Sequence, residues 1–304
     1  MDRRFPIEEF EADRFREFFG NETERLVATL FTGGACNSNY LVETSKNKKF
    51  VCRIHRRGDP KTEKRITESL PSDIPVPRCL WESKGLSVIE YIEGDHFTPS
   101  EKLVREAGRI IGRLSQISFE RFGQITPAGD VISLEGWESH QSGLSSLCRS
   151  PEAKRYLSDD AVSTLRNLLK QHSSELESFD DSHNLVHGDF NPDNILISGD
   201  RIVGIIDWEF SHSGSSYVDI GNLLRHIPET WEEHLALGLK EEGFNLPDDW
   251  RHRSLLIDLA SHLEFLTSGR SEDFKKRCVG RIHQFIELST RQASAEKGQH
   301  RAML

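Results

Sequence analysis

The sequence predicts a two-lobed α+β fold, with a small β-rich lobe carrying one helix over residues 1–93 and a larger, mainly helical lobe over residues 94–304. Three observations predict it. Short β-branched and aromatic runs bounded by Gly, Pro and Asn fill the first part, and apolar residues recur at helical spacing from Glu101 onward. A stretch of polar turn residues between strand-like runs then interrupts the helical part, near residue 190.

The strands of the first part are "RLVATLF" (25–31), "NYLVET" (39–44), "KKFVCRIH" (48–55), "RCLWES" (78–83) and "LSVIEYI" (86–92). One helix stands among them, over 59–70, stopped by Pro71. Residues 90–94 read as the connector. Beyond it, "EKLVREAGRIIGRLSQI" predicts a helix over 101–117, capped by Thr98 or Ser100. Further helices are expected over 134–148, 159–176, 215–226, 229–242, 248–268 and 271–293. Strands at 184–187, 194–198 and 202–206 form a hairpin unit turning at "SGD", and the polar tail from about Ser294 is expected to fray. A cleft between the lobes is the natural place for a ligand.

Composition narrows the function. A formal net charge of −10 argues against a nucleic-acid binder and favours neutral or cationic ligands. No run approaches the roughly 20 apolar residues that cross a bilayer, and the N-terminus lacks an apolar signal core, so neither membrane nor export is expected. The five cysteines form no C-x-x-C pair and no regular framework, which fits a reducing cytoplasm. A monomer or homodimer is expected.

The chemistry concentrates in "LVHGDFNPDNIL" (185–196) and "RIVGIIDWEF" (201–210). A calcium loop needs Gly where Asn194 stands, and needs helices rather than "NLV" and "ILI" on its flanks. His183 and His187 have zincin spacing on an extended segment without the required glutamate. A turn whose Asx side chains only cap backbone N–H groups is the plainer alternative. Phosphoryl transfer explains more, because it needs a carboxylate to receive the proton of an attacking hydroxyl. It also needs a carboxylate and an amide oxygen to hold magnesium, and a hairpin would bring Asp189, Asn194 and Asp207 to one mouth.

"HGDFNPDN" with "IIDWE" resembles the aminoglycoside phosphotransferase and choline kinase family, the small-molecule branch of the protein-kinase fold, through His187, Gly188, Asp189, Asn194, Asp207, Trp208 and Glu209. The resemblance implies a bilobal protein-kinase-like fold, ATP or GTP as phosphate donor and Mg2+ as metal. By it Asp189 is the catalytic base, Asn194 and Asp207 are the magnesium ligands, and His187 is structural. "FTGGACNSNYLVE" supplies the family's nucleotide-covering loop at Gly33, Gly34 and Asn37, with Ser38 nearby, and no Walker A lysine follows it. Arg53 stands where the protein-kinase pattern has Lys, with Glu63 on the next helix as its partner and Lys49 as the other candidate cation. Glu90 and Ile92 flank the backbone that would meet the purine. Asp219 in "SSYVDIGNLL" braces the catalytic turn.

Eleven residues separate Asp207 from Asp219, and no A-P-E segment follows, so a small hydroxylated acceptor is expected rather than a peptide. An aminoglycoside-like amino sugar is the first expectation, held by Glu209, Asp258, His262 and Glu264, with Trp137 available to stack on a ring. Macrolide, choline, homoserine and sugar kinases are the alternatives within the class. A pseudokinase that binds nucleotide without transfer is the alternative outside it.

Overall fold

The structure is a computed structural model that describes residues 5–33, 36–134 and 137–302, with side chains described to residue 291. Alternation of inward and outward side chains builds the small lobe. β1 (Val27–Leu30), β2 (Ser38–Glu43), β3 (Lys49–Ile54), β4 (Cys79–Ser83) and β5 (Leu86–Glu90) form one antiparallel sheet in the order β1-β2-β3-β5-β4. Its inner face buries Tyr40, Val42, Cys52, Ile54, Leu86 and Val88. The N-terminal segment, unassigned from sequence, covers that face through a short helix α1 (Arg16–Phe19) flanked by 3-10 turns. Phe15 and Phe19 enter the sheet core there, each worth roughly 1.5–3 kcal/mol on full burial. α2 (Pro60–Ser69) starts where Asp59 accepts the N–H of Lys61 and Pro60 occupies the first turn.

Directly after the connector comes a two-residue strand, β6 (Asp95–His96). α3 (Glu101–Leu114) is capped by Ser100, whose hydroxyl accepts the N–H of Leu103. It stops short of residue 117 because the chain that follows is used by a strand: Leu185 N–H donates to the Ile117 carbonyl at 2.8 Å. β7 (Gly123–Ile125) and β8 (Val131–Ile132) pair next, so the helix expected from 134 starts only at α4 (His140–Arg149), fixed by a Ser139–Ser142 capping box. α5 (Pro151–Tyr156) follows, then α6 (Asp159–Gln171) and α7 (Ser173–Asp180), which a break at His172 separates where one helix to 176 was expected.

The hairpin expectation needs correction in one strand. β10 (Ile195–Ser198) and β11 (Arg201–Ile205) form the hairpin and β6 adds to β10, whereas β9 (Asn184–Val186) belongs to another sheet, beside β12 (His212–Gly214). The segment from His187 to Asn194 therefore bridges two sheets. α8 (Tyr217–Leu224), α9 (Glu232–Glu241), α10 (Trp250–Thr267) and α11 (Glu272–Ala302) complete the lobe, and α11 runs through the tail expected to fray. One core joins α2, α3, α8, α9 and the hairpin; another joins α4 to α7 with α10 and α11. No helix among the described residues is long and apolar enough to cross a membrane.

Candidate active site

Buried Val186 and Ile195 anchor the two strands that hold the turn from His187 to Asn194, so its polar residues need not pack for themselves. Gly188 has φ +83°, and a Cβ there would lie 2.4 Å from the Phe210 carbonyl oxygen, so no other residue fits. His187 is fully buried. Its Nδ1 accepts the N–H of Asp189 at 3.2 Å and its Nε2–H donates to the Ile206 carbonyl at 3.1 Å, which fixes a neutral tautomer. Burial lowers its pKa to about 4, consistent with that state. Asp219, at the start of α8, accepts the N–H groups of His187 at 2.8 Å and Gly188 at 2.9 Å. It braces the turn from below, with burial pushing its carboxyl up to about 7 against the pull of those two donors.

Asp189 is held on both oxygens: Asn191 Nδ2 donates to one at 2.6 Å and Asn194 Nδ2 to the other at 2.9 Å. Asn194 Nδ2 also reaches the Asp189 carbonyl at 2.9 Å. Because these partners of Asn194 are acceptors, its amide nitrogen must face them, and its Oδ1 is left with no hydrogen bond among the described residues. Burial, then Asp207, raise the Asp189 pKa, while the two asparagines oppose the rise.

Asp207 follows β11 in the left-handed region at φ +68°, a conformation Asp tolerates better than most residues and one that turns its carboxylate into the cleft. Arg53, 5% exposed, donates through Nη1 to Asp207 at 3.1 Å and to Glu63 at 3.0 Å, and through Nε to Asn39 at 2.9 Å. Burial works against its charge, but Asp207, Glu63 and Glu209 outweigh it and hold its pKa above the ordinary arginine value. Glu63 is pushed up to about 7 by burial, against Arg53. Its Oε1 and the Nδ1 of His55 face each other at 3.7 Å, both without a hydrogen-bond partner. Lys49 stands at the other end of β3, over the Tyr91 ring, so Arg53 is the cation at this site.

The nucleotide-loop residues divide. Gly33 is exposed, with open space where a side chain would stand, and Gly34 lies outside the described residues. Asn37 bridges the lobes: its Nδ2 donates to Glu209 at 2.7 Å, and its Oδ1 accepts from the Arg56 and Arg57 backbones at 2.8 and 3.2 Å. Ser38 is a correction. It is fully buried, and its hydroxyl accepts the N–H of Glu8 at 2.9 Å, so it ties down the N-terminal segment instead of facing phosphates. Glu90 pairs with Arg78 at 3.0 Å, and Ile92 packs over Gly204.

A cavity of about 530 Å³ opens beside this constellation, with Glu63, Trp137, Gly188, Glu209, Asp258 and Glu264 in its walls. The structure thus gathers three of the four acidic or polar acceptor candidates. His262 lines a second cavity, of about 170 Å³, on the other side of Asp258. Asp258 is no free charge either: at 4% exposure it is gripped by both arms of Arg225, through Nε at 2.9 Å and through Nη2, and by His262 Nε2 at 2.9 Å. Burial would raise its pKa, but Arg225 and His262 hold it well below the usual carboxylate range. Glu209 is pushed up to about 7 by burial and Asp207, against Arg53 and Asn37. Sequence reasoning missed Arg225 and Asn191. A basic residue in the turn after the helix that Asp219 opens, and a third Asx inside the catalytic turn, were the available signals.

A family model described as the phosphotransferase enzyme family matches residues 27–256. Homoserine kinase of Zymomonas mobilis subsp. mobilis is 23% identical over 223 residues, 67% of this chain and 66% of that one. The matches span 56–66% of the length of the homoserine kinases concerned. A probable acyl-CoA dehydrogenase of Arabidopsis thaliana is 34% identical over 268 residues, 77% of this chain but 32% of that one. Among solved structures, aminoglycoside phosphotransferase APH(4)-Ia superposes with a TM-score of 0.68 at 16% identity, over 91% of this chain and 99% of that one. These likenesses carry the bilobal kinase-like fold.

Proposed function

The chain belongs to the phosphotransferase enzyme family, and from that premise we propose that it transfers the γ-phosphoryl group of ATP or GTP to a hydroxyl of a small molecule. The observation that carries this is the Asp189–Asn194 contact of 2.9 Å, which spends the amide nitrogen on the base and frees the amide oxygen beside the cleft that Asp207 faces.

In this reading Asp189 orients the acceptor hydroxyl and takes its proton, and its raised pKa brings it nearer to working pH than an ordinary carboxylate. Asn194 Oδ1 and the Asp207 carboxylate are hard oxygen donors that fit Mg2+, and two protein ligands are usual when phosphates supply others. Bound there, the metal would neutralise charge on the phosphates. Arg53, steadied by Glu63, supplies the cation of the small lobe, and Gly33 belongs to the loop over the phosphates. Residues 1–93 hold the nucleotide, with the hinge near 90–94, and residues 94–304 carry the catalytic turn and the acceptor.

The cavity of about 530 Å³ lies within the range of small-molecule sites, roughly 300–1,000 Å³. Glu209 and Glu264 in its walls support an amino-sugar acceptor, while the homoserine kinase relatives support a small amino-acid alcohol. The full set of Asp189, Asn194 and Asp207 supports catalysis over nucleotide binding alone. Magnesium-dependent ADP release, followed with and without a panel of amino sugars, macrolides and metabolic alcohols, tests the reading. ADP release that rises with an acceptor, together with a phosphoester product, supports it; nucleotide binding with no transfer to any alcohol sinks it.

A further inference from the structure

On the far side of Asp258 from the larger cavity lies the smaller one, of about 170 Å³, between α8, α9, α10 and α11. That volume is below the roughly 300 Å³ where small-molecule sites begin, so it suits one end of a ligand. Its charges do not balance. Arg225 is matched by Asp258, and Arg251 by Glu232 at 2.7 Å. Arg281 has no carboxylate: among the described residues its one hydrogen bond runs from Nη2 to the Arg225 carbonyl at 3.0 Å. Three guanidinium groups thus face two carboxylates in the cavity wall, while a third carboxylate, Glu229, lies outside it at 3.6 Å from Arg251. Burial and the neighbouring Arg225 lower the Arg281 pKa, against the weaker opposing pull of Asp258.

A second observation also points to a ligand. His262, 4% exposed, lines the cavity and has its Nε2 against Asp258, but its Nδ1 has no partner. With Nε2–H donated to Asp258, Nδ1 is a lone-pair acceptor, and leaving it unmatched costs roughly 1–3 kcal/mol, which a hydrogen-bond donor on the ligand, such as an ammonium beside its acid group, would recover. Leu255 and Leu259 give the cavity an apolar wall suited to a short methylene spacer. The wall of the cavity is also tied to the turn that carries Asp189. One turn before Arg225 on α8, Asn222 donates to the Gly188 carbonyl at 3.3 Å, and the charge of Arg225 acts on Asp189.

We infer that this cavity holds the carboxylate of the acceptor on Arg281, which makes the substrate a small hydroxy acid whose hydroxyl is presented to Asp189. The inference rests on the kinase reading above. In the reaction the hydroxyl proton passes to Asp189 as the acceptor oxygen bonds to the γ-phosphorus. The bond from that phosphorus to the β,γ-bridging oxygen breaks, and the nucleoside diphosphate leaves with its electron pair. The subsite also accounts for why Asp258 is neutralised by Arg225: a free carboxylate there would repel the acid.

The test compares homoserine with homoserine amide as acceptors, and butyrate with butyramide as non-reacting probes observed by NMR, on wild type, Arg281→Gln and Arg281→Lys. Expected is transfer to the acid in preference to the amide, and binding of butyrate but not butyramide. Arg281→Gln should raise the KM for the acid and weaken butyrate by about tenfold or more, the scale of a lost charge-assisted hydrogen bond, with partial recovery in Arg281→Lys. Equal use of acid and amide, or an Arg281→Gln variant with unaltered KM and butyrate affinity, would overturn the subsite. The wild-type probe comparison stands even if Arg281→Gln does not fold. If butyrate binding depends on Arg281 but no alcohol is ever phosphorylated, the anion site stands and the kinase reading falls.

Discussion

The guanidinium of Arg53 reaches across the cleft to the carboxylate of Asp207, 3.1 Å away, so the buried cation of the small lobe and the residue just past β11 act as one unit. Each is held by further groups, Arg53 by Glu63 and Asn39, Asp207 by its left-handed backbone.

Removing the cation should be felt by nucleotide first. Arg53→Ala is expected to lower kcat/KM for nucleotide by about tenfold or more, since it leaves the carboxylates of Glu63 and Asp207 facing phosphate without a counter-charge. Glu63→Ala should give a milder version. Steady-state kinetics with varied nucleotide would detect either; an Arg53 variant with wild-type kinetics would reduce the pair to a structural brace.

Asp207→Ala is expected to abolish magnesium-dependent nucleotide binding and transfer, because Asn194 alone offers no negative charge to the metal. A magnesium titration monitored by nucleotide affinity checks this. Normal affinity and turnover in that variant would remove Asp207 from the metal site.

Asp189→Asn keeps the side-chain size but loses the proton acceptor. Turnover should fall by roughly two to four orders of magnitude, the scale of a lost general base, while nucleotide affinity survives. The new amide also sets an NH2 group against a donor from Asn191 or Asn194, at a cost of about 1–3 kcal/mol, so the melting temperature should drop as well. Turnover per folded molecule separates the two effects. If it stays near wild type, Asp189 is only a brace.

Glu63 gives a pH signature in the ligand-free protein. Its carboxyl titrates at about 7 in the fold instead of near 4.5. Between those values the folded chain keeps a proton that the unfolded chain releases. The stability contributed by that proton is complete below the unfolded value and is lost as pH rises through the folded one. Melting curves of wild type and Glu63→Gln should therefore diverge from about pH 5 to about pH 8 in favour of the variant, with a differential slope up to about 1.4 kcal/mol per pH unit. Parallel profiles would show that Glu63 titrates as an ordinary carboxyl.

The sequence carried the sheet of the small lobe and the long helices because their signals are local: alternation along "KKFVCRIH", helical spacing and a Ser cap before "EKLVREAGRIIGRL". It also carried the meeting of Asp189, Asn194 and Asp207, since these are spaced by the turn and hairpin that hold them. Two- and three-residue strands such as β6, β8 and β12 have no period to read, and they exist because a distant partner supplies their hydrogen bonds. The same limit hid the roles of Ser38 and Asp258. Ser38 is engaged by Glu8, and Asp258 by Arg225, 33 residues away along the chain. Charge on a helix looks solvated from sequence until the packing that buries it is known.

β6 fastens the far end of the connector to the large lobe's own architecture. His96 pairs with Leu196 and Asp95 with Ile197, so the edge of the hairpin that carries Asp207 is sealed by residues a hundred positions earlier. A large-lobe fragment beginning after residue 96 would leave β10 with an open edge, the kind of surface on which chains add strand to strand and aggregate. A fragment beginning at Glu93 would keep that edge closed.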